Sequence, residues 1–134
     1  DLELTETIAA GDLVELSTKL EALKNEGFLL SLDDFGTGYS SLSYLRSLNV
    51  DKLKIDMEFA KDLGTTKEAE GIIRAITSIA NELELRTVLE GIETREQALL
   101  ARRCGVTYGQ GYLFSKPLGT ASLRSFFQKR ERAV

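Results

Sequence analysis

Residues 28–42 read Phe-Leu-Leu-Ser-Leu-Asp-Asp-Phe-Gly-Thr-Gly-Tyr-Ser-Ser-Leu, and this stretch constrains the fold more than any other. An apolar run from Phe28 to Leu32 stops at two consecutive carboxylates, Asp33 and Asp34. A loop with Gly36 and Gly38 follows, and then a helical pattern with Leu42, Leu45 and Leu48 on one face, for which Ser40 or Ser41 is a suitable cap. Apolar strand, acidic edge, glycine loop and helix together predict a βα unit with chemistry at the carboxyl end of the strand. Adjacent carboxylates in a partly buried site repel, so one takes up a proton unless a cation neutralises both. Hard metal ions held by oxygen suit such a pair. The same two residues also suit an acidic turn with an Asx cap, and only the rest of the chain decides between the two.

The chain repeats the theme. Asp1 to Glu6 alternates leucine with acid, a strand pattern. A helix follows, with Asp12 and Glu15 as a capping box, Leu13, Leu16, Leu20 and Leu23 as its apolar stripe and Gly27 at its end. Val50 to Asp56 predicts a second strand after the Asp33–Asp34 run, carrying Lys54 among apolar neighbours. Thr65 or Thr66 opens the longest helix, and Arg86 to Leu89 predicts the next strand, ending at Glu90-Gly91-Ile92-Glu93. Thr94 and Gln97 form another capping box, for a helix that ends at Gly105. Val106 to Phe114 predicts a last strand holding Gln110, and Pro117 separates it from a final helix bearing Leu123, Phe126 and Phe127.

Alternating strands and helices imply a parallel α/β architecture covered by helices. Near the strand ends stand polar residues that packing does not require: Glu3, Asp33 with Asp34, Lys54, Glu90 and Gln110. In parallel sheets, and above all in (β/α)8 barrels, the active site is assembled from these strand ends. Each residue has a plainer reading as well. Lys54 could snorkel or pair with Asp56, Glu93 could serve the dipole of the helix that Thr94 caps, Gln110 could merely finish a strand, and Cys104 suits a small buried hydrophobe.

Composition narrows the chemistry. The 134 residues are 43% hydrophobic and 28% charged with a net charge of −4, an ordinary globular make-up with no overall electrostatic grip on DNA. No apolar run approaches the roughly 18 residues that span a bilayer. The lone cysteine excludes an intramolecular disulfide and fits a reducing, cytoplasmic setting. The absence of histidine excludes imidazole acid–base catalysis, His-metal sites and Ser-His-Asp triads, which leaves carboxylates, lysine and oxygen-ligated metal.

The stretches 2–6 (LELTE), 31–42 (SLDDFGTGYSSL), 53–56 (LKID), 89–94 (LEGIET) and 110–117 (QGYLFSKP) resemble, in order and spacing, the EAL-domain family of bacterial cyclic di-GMP phosphodiesterases. The resemblance implies a modified TIM barrel and hydrolysis of cyclic di-GMP to linear pGpG with two Mg²⁺ or Mn²⁺ ions. By position, Glu3 resembles a metal ligand, Asp33 the carboxylate bridging both ions and Asp34 a ligand of the second. Glu90 resembles a further ligand close to the attacking water, with Glu93 secondary beside the second ion. Lys54 resembles the residue that orients or activates that water, and Gln110 one that contacts water or substrate. Glu6 resembles the anchor of a substrate loop that includes Phe35, Gly36, Thr37 and Gly38.

The chain also departs from the family. Met57-Glu58 stands where Arg-Ser is common, Leu89 where a small alanine precedes Glu-Gly, and Thr107 where an aspartate is frequent; the first and third bear on substrate affinity. A (β/α)8 barrel takes about 250 residues, so residues 1–134 are expected to form a single partial EAL domain, the C-terminal half-barrel without the Glu-Ala-Leu half. The fragment alone is then expected to be inactive and to pair as a homodimer, with regulatory or GGDEF domains fused in the parent, which could itself be membrane-anchored through them. Two other readings are a degenerate EAL module that binds cyclic di-GMP without catalysis and a phosphoacceptor receiver domain.

Overall fold

The computed structural model describes residues 1–5, 13–36 and 42–131, the side chains of 42–44 and 129–131 excepted. The elements run in the order β1 (Leu2–Thr5), α1 (Leu13–Asn25), β2 (Leu30–Phe35), α2 (Leu42–Ser47), β3 (Lys52–Ile55), α3 (Met57–Lys61), α4 (Lys67–Glu82), β4 (Arg86–Leu89), α5 (Arg95–Arg103), β5 (Tyr108–Gly109) and α6 (Thr120–Glu131). The described strands form one sheet in chain order, β1 to β5, with every neighbouring pair parallel. This is the alternating architecture that the sequence predicts.

The two faces of the sheet differ in chemistry because successive side chains of a strand point to opposite sides. Leu30, Leu32, Leu53, Ile55 and Leu89 are each at most 1% exposed, and they form one core with Leu20 of α1, Leu45 of α2, Ala60 of α3, Ile73 and Ile76 of α4 and Ala101 of α5. The residues between them in the strands (Glu3, Ser31, Asp33, Lys52, Lys54 and Arg86) carry the polar groups. Local signals set the helix starts: Thr66 caps α4 through the Ala69 N–H, and Thr94 with Gln97 forms the predicted capping box of α5. The cap predicted from Asp12, and those from Ser40 and Ser41, lie outside the described residues.

Two elements depart from expectation. The helix α3 has no counterpart in the sequence reading; Asp56, taken as the end of a strand, caps it by accepting the Glu58 N–H at 2.7 Å. The strand predicted over 106–114 pairs with β4 only at Tyr108 and Gly109. Beyond Gln110 the backbone leaves the sheet and packs across Ile92: the Ile92 N–H donates to the Gln110 carbonyl at 3.0 Å, and the Leu113 N–H to the Ile92 carbonyl at 3.0 Å. A side chain at Gly111 would fall 2.1 Å from the Ile92 carbonyl oxygen, so only glycine permits this crossing.

The amino-terminal end of the sheet is tied by Asp51. Its backbone N–H donates to the Leu30 carbonyl (2.8 Å), its carbonyl accepts from Arg86 N–H (3.1 Å), and its carboxylate accepts from Leu30 N–H (2.8 Å) and pairs with Lys24 (2.9 Å). Burial alone would raise the pKa of this carboxyl, but the hydrogen bond from Leu30 and the Lys24 ammonium outweigh it and hold the group below the usual carboxylate range. A depressed folded-state pKa adds stability that is present above the ordinary carboxylate range and is lost as the pH falls through the folded-state value. Asp51→Asn is therefore expected to lower stability by about 1 kcal/mol near neutrality. In urea titrations from about pH 6 to pH 2, the gap from the parent should close as the acid side is approached; a gap independent of pH would contradict this assignment.

Candidate metal centre

Lys54 lies in the middle of the polar face. It sits in β3, flanked in the sheet by β2 and β4, and is only 5% exposed. Burying an ammonium is tolerable only when it is paired. Its Nζ lies 2.9 Å from Glu3 Oε1, 3.0 Å from Asp33 Oδ1 and 2.9 Å from Glu90 Oε1, so a single cation joins acids from β1, β2 and the end of β4. Burial by itself would lower the lysine pKa; the hydrogen bonds it donates to Glu3, Glu90 and Asp33 overcome it and raise the pKa well above the usual lysine range. The Asp56 pairing considered for Lys54 is replaced by these three.

Asp33 and Asp34 sit on a β-bulge. Leu32 pairs with Leu53 and Phe35 with Ile55, so two residues of β2 stand opposite the single Lys54 of β3. In a regular strand, residues three apart face opposite sides, yet Leu32 and Phe35 both belong to the core. The bulge absorbs the odd residue, and Asp34 takes a left-handed φ of 57° to do so. Asp tolerates this region better than most residues. The Asp34 N–H donates to Asp33 Oδ1 at 3.0 Å. Carboxylate oxygens of Asp33, Asp34 and Glu90 all come within 4.8 Å of one another. Desolvation, then the charges of Asp33 and Asp56, push the Asp34 carboxyl above the usual range.

The donor set fits a hard divalent cation. All three groups are carboxylates within reach of one another, and after desolvation the charges of Asp33 and Asp56 bear on Asp34, negative charge that a cation would neutralise. Gln110 Nε2 donates to Glu90 Oε1 at 3.3 Å, which brings the glutamine to the same cluster.

The remaining expected residues are placed less uniformly. Glu3 reaches the cluster through Lys54 and lies outside the group of three close carboxylates. Glu93 is exposed and also lies outside that group. Phe35, expected at the head of a substrate loop, is the last residue of β2 with its side chain in the core, because the bulge turns it to the helix side. Gly36 follows with φ 100° beside the Phe59 ring. Glu6, Thr37 and Gly38 lie outside the described residues. Thr107 exchanges hydrogen bonds with Thr87 (3.0 and 3.2 Å) at the end of β5 away from Gln110, and Leu89 is buried in the core. Met57 is exposed at the start of α3. One site residue escaped the sequence reading: Asp56 lies near enough to Asp34 for its charge to help push that carboxyl above the usual range. Its signal was present, since Asp56 is the second residue after Lys54 and so continues the polar face of β3.

Known proteins resemble this arrangement. A family model described as EAL domain matches residues 1–117. Cyclic di-GMP phosphodiesterase NbdA of Pseudomonas aeruginosa is 42% identical over 128 residues, which make up 96% of this chain and 16% of NbdA. The EAL domain of Mycobacterium smegmatis DcpA superposes with a TM-score of 0.89 at 41% identity, covering 96% of this chain and 57% of that one. Klebsiella pneumoniae BlrP1, solved with manganese and cyclic di-GMP, superposes with a TM-score of 0.78 at 35% identity, covering 86% of this chain and 29% of BlrP1. The chain thus spans about a sixth of the length of NbdA and just over half of the DcpA domain chain. EAL domains have a TIM-barrel fold, whose parallel strands and covering helices the sheet described above reproduces over its own length. By the extent of the family match and the metal-compatible carboxylates on its parallel sheet, the chain belongs to the EAL-domain family.

Proposed function

We propose that this chain is the C-terminal part of a complete EAL domain that hydrolyses cyclic di-GMP to linear pGpG with two Mg²⁺ or Mn²⁺ ions. The observation that carries the reading is the Lys54 cluster: one buried ammonium drawing together carboxylates from β1, β2 and the residue after β4, with Asp34 and Gln110 beside them. The relative NbdA is named as a cyclic di-GMP phosphodiesterase, and BlrP1 has been solved with cyclic di-GMP in the presence of manganese or calcium. Asp33, Asp34 and Glu90 would hold the cations, with Glu3 as an outer carboxylate. When bound, such ions acidify water and neutralise phosphate charge.

The chain's own residues do the rest. Lys54 keeps Glu3, Asp33 and Glu90 at fixed spacing and places a positive charge where a phosphodiester gains negative charge during attack. Glu90 accepts from the Gln110 amide, which holds that carboxylate in one orientation. Asp56 meets Asp34 from the start of α3. One water adds across one phosphodiester: the P–O bond to a ribose 3′-oxygen breaks, that oxygen takes a proton, and a 5′-phosphate remains on the other guanosine.

In a complete domain with this sequence, Asp33→Asn should lower pGpG formation by at least about 100-fold while cyclic di-GMP binding, followed by calorimetry, persists, and chelation with EDTA should abolish turnover. Metal-independent turnover, or tight binding of cyclic di-GMP by the parent domain with no pGpG, would overturn the reading. The 134-residue chain alone is expected to form no pGpG, and robust Mg²⁺-dependent turnover by it would refute the partial-domain assignment. Lys54→Met leaves three carboxylates crowded without their cation. It should cost about 2 kcal/mol in urea unfolding, as well as the activity; a variant as stable as the parent would show that the lysine does not hold the cluster.

A further inference from the structure

Two segments bring carboxylates to the cluster beside the bulge. The loop after β4 carries Glu90, and the turn into α3 carries Asp56 against Asp34. Like charges on these segments push them apart, so something must set their spacing.

They touch at two points. At Gly91, directly after Glu90, an added Cβ would lie 2.7 Å from Met57 Cβ, so the loop lies closer to the first residue of α3 than any side chain would allow. Gln97, the third residue of α5, makes the second contact. Its Oε1 accepts from the N–H groups of Glu93 and Thr94, each at 2.9 Å, and its Nε2 donates to the carbonyl of Ala60 at 2.8 Å, in the last turn of α3. A capping box accounts for the bonds between Thr94 and Gln97. It does not account for the bond to Ala60, 37 residues away in a different helix. Ala60 is fully buried, so this end of α3 is fixed in the core.

We propose that Gln97 is a positioning residue for the carboxylate cluster: by tying the loop that follows Glu90 to the last turn of the helix that Asp56 caps, it sets the spacing between Glu90 and the Asp34–Asp56 pair. The proposal rests on the reading of the cluster as a metal centre. Its chemistry is that of an outer hydrogen bond that holds ligand-bearing backbone in place, a class of contact whose loss lowers metal affinity by about 10-fold or more.

Gln97→Glu separates the brace from the cap. Glutamate at this position keeps the accepting oxygen that a capping box uses, and loses the amide that donates to Ala60. In the complete domain, Mn²⁺ affinity by calorimetric titration should fall about 10-fold, and kcat for cyclic di-GMP should fall with KM changed less than about twofold. Gln97→Asn, too short to span both segments, should show the same loss. Thr94→Ala breaks the cap and leaves the Ala60 bond, so its unfolding midpoint should drop while Mn²⁺ affinity holds. Parental Mn²⁺ affinity in either folded Gln97 variant, or an equal loss in Thr94→Ala, overturns the brace. A parent domain that takes up no Mn²⁺ overturns the metal-centre reading instead.

Discussion

A buried ammonium among carboxylates sets the terms for this structure. Neighbouring strands of a sheet lie about 4.8 Å apart, so β1 and β3 are about 10 Å apart. Only two long side chains, such as Glu3 and Lys54, can bridge that gap. The lysine therefore does what no backbone hydrogen bond can: it couples the polar ends of strands that do not touch. The parallel register makes this possible, because Glu3, Asp33 and Lys54 rise from the same face, with Asp33 beside Lys54 and Glu3 one pleat lower. Without the cation the acids would repel; without the acids the buried lysine would be intolerable. Each side of the arrangement is stable only through the other.

The bulge follows from the same constraint. A second acid directly after Asp33 would point into the core in a regular strand, and a buried unpaired carboxylate there would be far costlier than a strained backbone. The left-handed turn at Asp34 removes that conflict and returns Phe35 to the core. Two adjacent acids and one register shift are thus parts of a single solution. Asp56 completes it from the other side, serving at once as a helix cap and as the neighbour of Asp34.

Much of this was legible in the residues. Polar residues near the strand ends singled out Glu3, Asp33 and Lys54, and the Ser/Thr-x-x-Glu/Gln spacing found the cap at Thr94. What stayed hidden depended on contacts between distant segments. A pair of aspartates looks the same with or without a bulge, because the register is set by Leu53 and Ile55 across the ladder. The helix α3 spans only five residues, too few for a periodic pattern, and its cap read equally well as the end of a strand. The run 106–114 has strand-forming residues on both sides of Gln110, but Gly109 and Gly111 let it pack onto Ile92, and that tertiary contact overrides local propensity. Thr107 was judged by its place in a motif, whereas its position in the fold makes it a partner of Thr87.

The two ends of the sheet divide the work. At one end Asp51, Thr87 and Thr107 satisfy backbone groups and extend the ladder with side-chain bonds. At the other end the acids converge on Lys54, and their charge is only partly met by that lysine. The sheet thus carries its side-chain ties to backbone at one end and an excess of negative charge at the other. That excess suits the proposed metal site, because an acidic cluster already neutralised by its own lysines and arginines would have little affinity left for a cation. The single lysine is therefore as telling as the carboxylates: it is enough charge to assemble the site and too little to fill it.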